Sequence, residues 1–160
     1  MYTPEGVYVI IDITVLTADN RNVSIKLYSY TIAKTTAESA PYRIPVGALG
    51  SNIPSADLCV SPRHAVKDGK GRWQIPKYLV DKATQYGIGE SVTYYHIECP
   101  NYYTDNLIVE GTVVESFKNR QGSKGVIYMW DETIGGWERI PPNKMTSIPE
   151  NPKTYMIYAS

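Results

Sequence analysis

The segment Asn22–Val23–Ser24–Ile25–Lys26–Leu27 alternates apolar and polar residues, with Val23, Ile25 and Leu27 on one side and Ser24, Lys26 and Tyr28 on the other. That period of two belongs to a strand with one face buried, and it constrains the fold more than any other feature of the chain. The run before it, residues 6–17, is rich in β-branched side chains. The linker between them, residues 18–22, holds Asp and Asn, which tolerate left-handed backbone. The first third therefore reads as a hairpin or meander. Strand-like runs return at 91–99 and 106–117. Residues 67–73, with two glycines and alternating charge, read as a hairpin tip. One segment, 76–87, has Pro at its start, Tyr78, Leu79 and Ala83 as apolar positions and Gly87 as a stop, and predicts a short helix or a single irregular turn. Between the early strands and the hairpin tip, residues 41–58 carry three prolines and predict an ordered loop with short extended pieces. The fold class expected is all-β, with many short strands in one domain.

Composition changes after residue 117. Residues 118–125 are polar and glycine-bearing, a linker or long turn. Residues 126–140 read as a second hairpin around Ile134–Gly135–Gly136, with Trp130 and Trp137 flanking the turn. Residues 141–160 hold four prolines and no period, the pattern of an extended tail packed along something. The expected division is thus a β domain over 1–117 and a C-terminal hairpin and proline-rich extension over 118–160, packing on the domain or on a partner. The two tryptophans either anchor a docking hairpin or close the extension onto the domain's own core. A partner is favoured here, so protein partners through the extension and an oligomer or larger assembly are expected.

Lys plus Arg and Asp plus Glu each number 16, so no basic excess draws a polyanion, and nucleic acid is not an expected partner. The longest apolar run, residues 7–11, is a strand's length and far short of a bilayer span, so no membrane partner is expected. The start, Met1 to Gly6, has neither a basic region nor an apolar signal core, which places the expected location in the cytoplasm or a virion rather than the classical secretory route. The 14 tyrosines against one phenylalanine fit half-wet positions, either at the edges of a small core or at a protein contact surface.

The chain has two histidines. His64 follows Ser61 by three residues, and His96 lies in a strand run with Tyr94 and Glu98 on its own face. The segments from Arg43 to Gly50, from Asp57 to Val66 and from Leu107 to Phe117 together resemble the Hint (hedgehog/intein) domain family, in its bacterial and large-virus branch. The resemblance covers about residues 7–117. It implies a compact, horseshoe-like β fold. It also implies an activity: a Cys or Ser at the start of the domain attacks the preceding carbonyl and converts an amide into an ester or thioester. In that chemistry Ser61 would anchor the local backbone and His64 would protonate the leaving nitrogen, a task suited to a group whose ordinary pKa is about 6.5. Relatives carry a further His in the loop that here reads Tyr102–Tyr103–Thr104–Asp105, so Asp105 and His96 complete the candidate catalytic set.

The family's nucleophile block would lie upstream of Met1, and neither Cys59 nor Cys99 can stand in for it. The expected function is therefore a non-catalytic Hint-type scaffold, a structural or protein-interaction module in an assembly such as a virion. The alternative is the C-terminal part of a self-cleaving autoprocessing domain. A second alternative is a binding module stabilised by zinc on Cys59, His64, His96 and Cys99, which pair as C-x4-H and H-x2-C. No cofactor is expected otherwise. Ser61, His64 and His96 also have plain structural readings, as turn and scaffold residues bonded to backbone.

Overall fold

The computed structural model describes residues 8–118, 126–141, 143 and 154–157. The expectations for the amino-terminal segment, for the linker 119–125 and for most of the tail fall outside those residues. Among the described residues no helix is long and apolar enough to cross a membrane.

Strands β1 (Tyr8–Leu16), β2 (Asn22–Ile32) and β8 (Val92–Glu98) form one antiparallel sheet in the order β1-β2-β8. The predicted first hairpin is present, closed at residues 17–21, where Thr17 Oγ1 accepts from the Arg21 amide at 3.0 Å. The alternation along β2 holds at Ile25 but not at Tyr28, which is 8 % exposed rather than turned to solvent. Its hydroxyl donates to Glu98 at 2.9 Å and its ring packs 5.2 Å from Phe117, so the polar tip is satisfied and the ring is covered.

A second sheet has the order β4-β3-β7, from β3 (Tyr42–Ile44), β4 (Leu58–Val60) and β7 (Thr84–Gln85). Thr84 and Gln85 pair with Arg43 and Tyr42, which explains why residues 76–87 take the single turn and not the short helix, the two forms expected there. Only a 3₁₀ turn, Pro76–Tyr78, survives; Leu79 leaves helical geometry at φ −90°, ψ 70°. A three-turn helix with Val80 86 % exposed would bury too little to offset its nucleation cost.

The third sheet holds β5 (Val66–Lys67), β6 (Trp73–Gln74), β9 (Leu107–Val109), β10 (Thr112–Val114), β11 (Val126–Asp131), β12 (Gly136–Ile140) and β13 (Thr154–Ile157), in the order β13-β11-β12-β6-β5-β10-β9. The hairpin tip expected at 67–73 joins β5 to β6. Asp68 closes it by accepting from the amides of Lys70 and Arg72 at 2.9 and 3.0 Å. Residues 106–117, read above as one strand, are instead a hairpin. Glu110 (φ 48°) and Gly111 (φ 69°) both take left-handed backbone, the requirement of the two-residue turn whose twist suits a hairpin.

The C-terminal hairpin 126–140 forms as expected, but it does not stand apart. Trp137 pairs with Trp73 across β12 and β6, so the extension continues the domain's own sheet. Trp137 is 5 % exposed and packs in one cluster with Trp73, Ile75, Tyr102 and Tyr128. The docking role expected for Trp137 is thereby corrected: its indole lies in the core of its own chain, because strand pairing leaves that side of β12 facing Trp73. A separate aliphatic cluster is built around Ile44, Leu58, Val60, Val66, Leu107 and Val114.

Candidate functional site

Ser61, Pro62, Arg63 and His64 form a turn in which the His64 amide donates to the Ser61 carbonyl at 3.2 Å. Proline at the second position presets the backbone for such a turn. It delivers His64 to a cleft of about 270 Å³ lined by Leu58, Cys59, Val60, Ser61 and His64 on one side, and by Thr93, Tyr94, Tyr95 and His96 on the other. Val109 and Val114 complete the lining. Successive residues of a strand point to opposite faces, so a cleft touched by four consecutive residues meets the strand edge-on. Both β4 and β8 are the last strands of their sheets among the described residues. The cleft thus lies between two sheet edges, with the Ser61 turn at one of them.

The two imidazoles that sequence spacing singled out, more than thirty residues apart in the chain, share this cleft. His64 Nε2 stands 3.0 Å from the carbonyl oxygen of Glu115. A carbonyl only accepts, so Nε2 carries the proton and Nδ1 is left as the acceptor. Loss of hydration pushes the His64 pKa down to about 4; the Glu115 carbonyl opposes that shift and nearby His96 adds to it. His64 is therefore a neutral base near pH 7 rather than a charged acid. His96 is 4 % exposed and packs its ring 4.7 Å from Phe117. Ser61 is buried at 6 % exposure.

Asp105 is not among the residues lining the cleft. It is 2 % exposed and accepts from Arg21 Nη2 at 2.7 Å and from the Asn101 amide at 2.8 Å. Burial works to raise its pKa, but the bonds from Arg21, Asn101 and Thr104 outweigh it and hold the carboxyl below its usual range. The result is a clamp between the β1–β2 turn and loop 101–105. The zinc set does not assemble either: among the described residues no group of three or more His, Cys, Asp or Glu side chains could hold a metal ion. Cys59 is exposed in β4 and lines the cleft, whereas Cys99 is buried; both are free thiols. Burial, with the Asp105 charge adding to it, pushes the Cys99 thiol up to about 11.

Sequence reasoning missed Glu115. It is 1 % exposed, and its Oε2 accepts from the Ala65 amide at 2.6 Å while its Oε1 accepts from the Tyr102 hydroxyl at 2.5 Å. Burial drives its pKa up to about 7, against the pull of Tyr102, the Ala65 amide and Arg139. Two signals were present: its place in the Leu107–Phe117 segment that resembles the family, and a carboxylate following directly on the apolar run Val113–Val114, where an ionisable side chain is costly unless something holds it. The model of the Hint domain family matches residues 12–121, more than half of the chain. No curated protein and no solved structure matches it.

Proposed function

The chain belongs to the Hint domain family, and from that premise we propose that it works as a Hint-type scaffold, a structural or protein-interaction module whose cleft receives an extended peptide segment. The observation that carries this reading is the position of the cleft between the edges of β4 and β8. Open sheet edges recognise extended chains by main-chain hydrogen bonds, with side-chain pockets adding selectivity. The hydroxyl and thiol that line the cleft are in the wrong place to begin an acyl shift. Ser61 and Cys59 lie inside the turn and strand that build the site, and attack on the carbonyl before either would cut β4 or its exit. Residues 8–118 therefore hold a peptide without breaking one. Partners reached through the tail, in an assembly such as a virion, fit the same role.

Autoprocessing is the second reading, and one observation favours it. Tyr8, at the amino end of β1, pairs with Tyr28, which pairs with His96. Chain entering β1 thus arrives in the cross-strand row of a cleft imidazole. A Cys or Ser upstream of Tyr8 would pass its proton to His64 Nδ1 as it attacks the preceding carbonyl. The imidazolium would then return that proton to the amide nitrogen as the C–N bond breaks, leaving an ester or thioester. A neutral His64 suits that order of events.

Intact-mass spectrometry separates the two. The chain, extended ahead of Met1 by a segment that supplies a Cys and a residue before it, is incubated at neutral pH with and without hydroxylamine or a thiol and is expected to keep its mass. Release of a fragment that His64→Gln abolishes would overturn the scaffold reading in favour of autoprocessing.

A further inference from the structure

Glu115 grips the residue pair His64–Ala65 from three directions. Its amide donates to the Ala65 carbonyl at 3.1 Å, its side chain accepts from the Ala65 amide, and its carbonyl accepts from the His64 ring. Both backbone groups and both carboxyl oxygens of one buried residue are thus committed. A buried carboxylate is costly, and one without a cation in hydrogen-bond contact needs a reason. Tyr102, which donates to Glu115, also stands 2.9 Å from the Tyr128 hydroxyl. Tyr128 is 0 % exposed and belongs to β11, beyond the residues 12–121 that the family model matches. Arg139 of β12 lies over the Tyr102 ring at 4.8 Å and donates to the Tyr103 carbonyl at 2.8 Å, which holds the tyrosine in place. Hydrogen bonds therefore link Tyr128 to Tyr102 and Tyr102 to the Glu115 carboxyl, and the backbone carbonyl of that same residue meets the half-buried His64 ring.

We propose that Glu115 is the positioning residue for the His64 imidazole, and that the C-terminal hairpin, through Tyr128, fixes Glu115 and so sets the tautomer and orientation of His64 in the cleft. The proposal deepens the reading of the cleft as the working site and rests on it. The hairpin then completes the site instead of merely extending the sheet. Side-chain networks of this kind couple their members more strongly than single deletions suggest, because each hydroxyl donates in one direction only when its neighbour is in place. Removing the Tyr128 hydroxyl lets the Tyr102 hydroxyl and the carboxyl rearrange, and the grip on the 64–65 backbone loosens with them.

The chain's two histidines make the test direct. With ¹⁵N-labelled histidine the full chain gives two sets of ring signals, which His96→Gln assigns. Three variants are compared with the parent: Tyr128→Phe, Glu115→Met and Glu115→Gln. Tyr128→Phe and Glu115→Met are expected to move His64 from a single Nε2–H tautomer to a mixture and raise its midpoint by half a pH unit or more, with His96 unmoved. Glu115→Gln keeps an acceptor for Ala65 and a partner for Tyr102, so it should stay near the parent. Folded Tyr128→Phe and Glu115→Met proteins with parental His64 signals would overturn the proposal. Equal shifts at both histidines would also overturn it, since they would report general loosening. The ring signals report on His64 whether or not a peptide is held or cut, so failure of the functional reading is seen separately, in the mass experiment.

Discussion

The two cores of this domain are made of different material. The cluster around Ile44, Leu58 and Val66 is aliphatic, and every one of its buried residues lies within the stretch that matches the family. The cluster around Trp73, Tyr102, Tyr128 and Trp137 is aromatic, and half of those four come from the hairpin beyond that stretch or its threshold. Aliphatic packing has no direction; it is closed by shape and volume alone. The aromatic cluster brings hydroxyls and, with Arg139 lying 4.6 Å over the Trp73 ring, a guanidinium, so it fixes geometry as well as filling space. The lesson is that the family strands suffice for the aliphatic core, while the aromatic one needs the hairpin to close it and in return supports the base of the cleft.

The largest effect expected from breaking that arrangement is at Trp137. Truncation to Ala should cost about 3–5 kcal/mol, read as a drop in thermal or denaturant midpoint of the isolated chain. A small cost would mean that the aromatic core stands without the hairpin. Ile44→Ala, in the aliphatic core and away from the cleft lining, should cost about 3 kcal/mol, with no change in the tautomer of His64. A change there would show that the two cores are not separable in the way described.

The pH dependence of stability sharpens the comparison further. Glu115 holds its proton more tightly folded than unfolded, so its contribution is present below about 4.5 and is lost as pH rises through about 7. His64 holds its proton less tightly folded, so its contribution is present above about 6.5 and is lost as pH falls through about 4. The two oppose each other between about 4.5 and 6.5 and should leave the parent nearly flat there. His64→Gln should expose a fall in stability with rising pH, and Glu115→Gln a rise, each on the order of 2 kcal/mol across the window. Urea unfolding at four or five pH values decides it; parallel profiles in both variants would break the account. The smallest effect is at Tyr128→Phe, about 1 kcal/mol, the usual worth of one buried hydrogen bond.

Much of this was legible before any coordinates. The alternation at Val23–Leu27 gave the first hairpin, and the glycines of Lys67–Trp73 gave the second. Ser61, His64 and His96 came from spacing and resemblance, and the fold brings them to one cleft. The turn at Glu110–Gly111 was hidden because both sides of it are β-branched and the run reads as continuous. Over 76–87 a short helix and a single turn were both open, and the turn forms because the apolar residues serve a loop whose end is claimed by β3. Trp137 announced burial, but composition does not say whose core an indole enters. Glu115 stayed hidden for a related reason: what makes it tolerable is a hydroxyl from loop 101–105, itself bonded to a tyrosine from the far hairpin, and no local pattern records partners that distant.

The central claim is that His64 sits in the cleft as a neutral, Nε2-protonated base held by the Glu115 carbonyl. Its ring ¹⁵N signals, followed from pH 8 to pH 3.5 in the parent chain, test that most directly. The account predicts a single Nε2–H tautomer in the neutral form and a midpoint near 4. A midpoint near the ordinary value of about 6.5, or a mixture of tautomers at neutral pH, would contradict it.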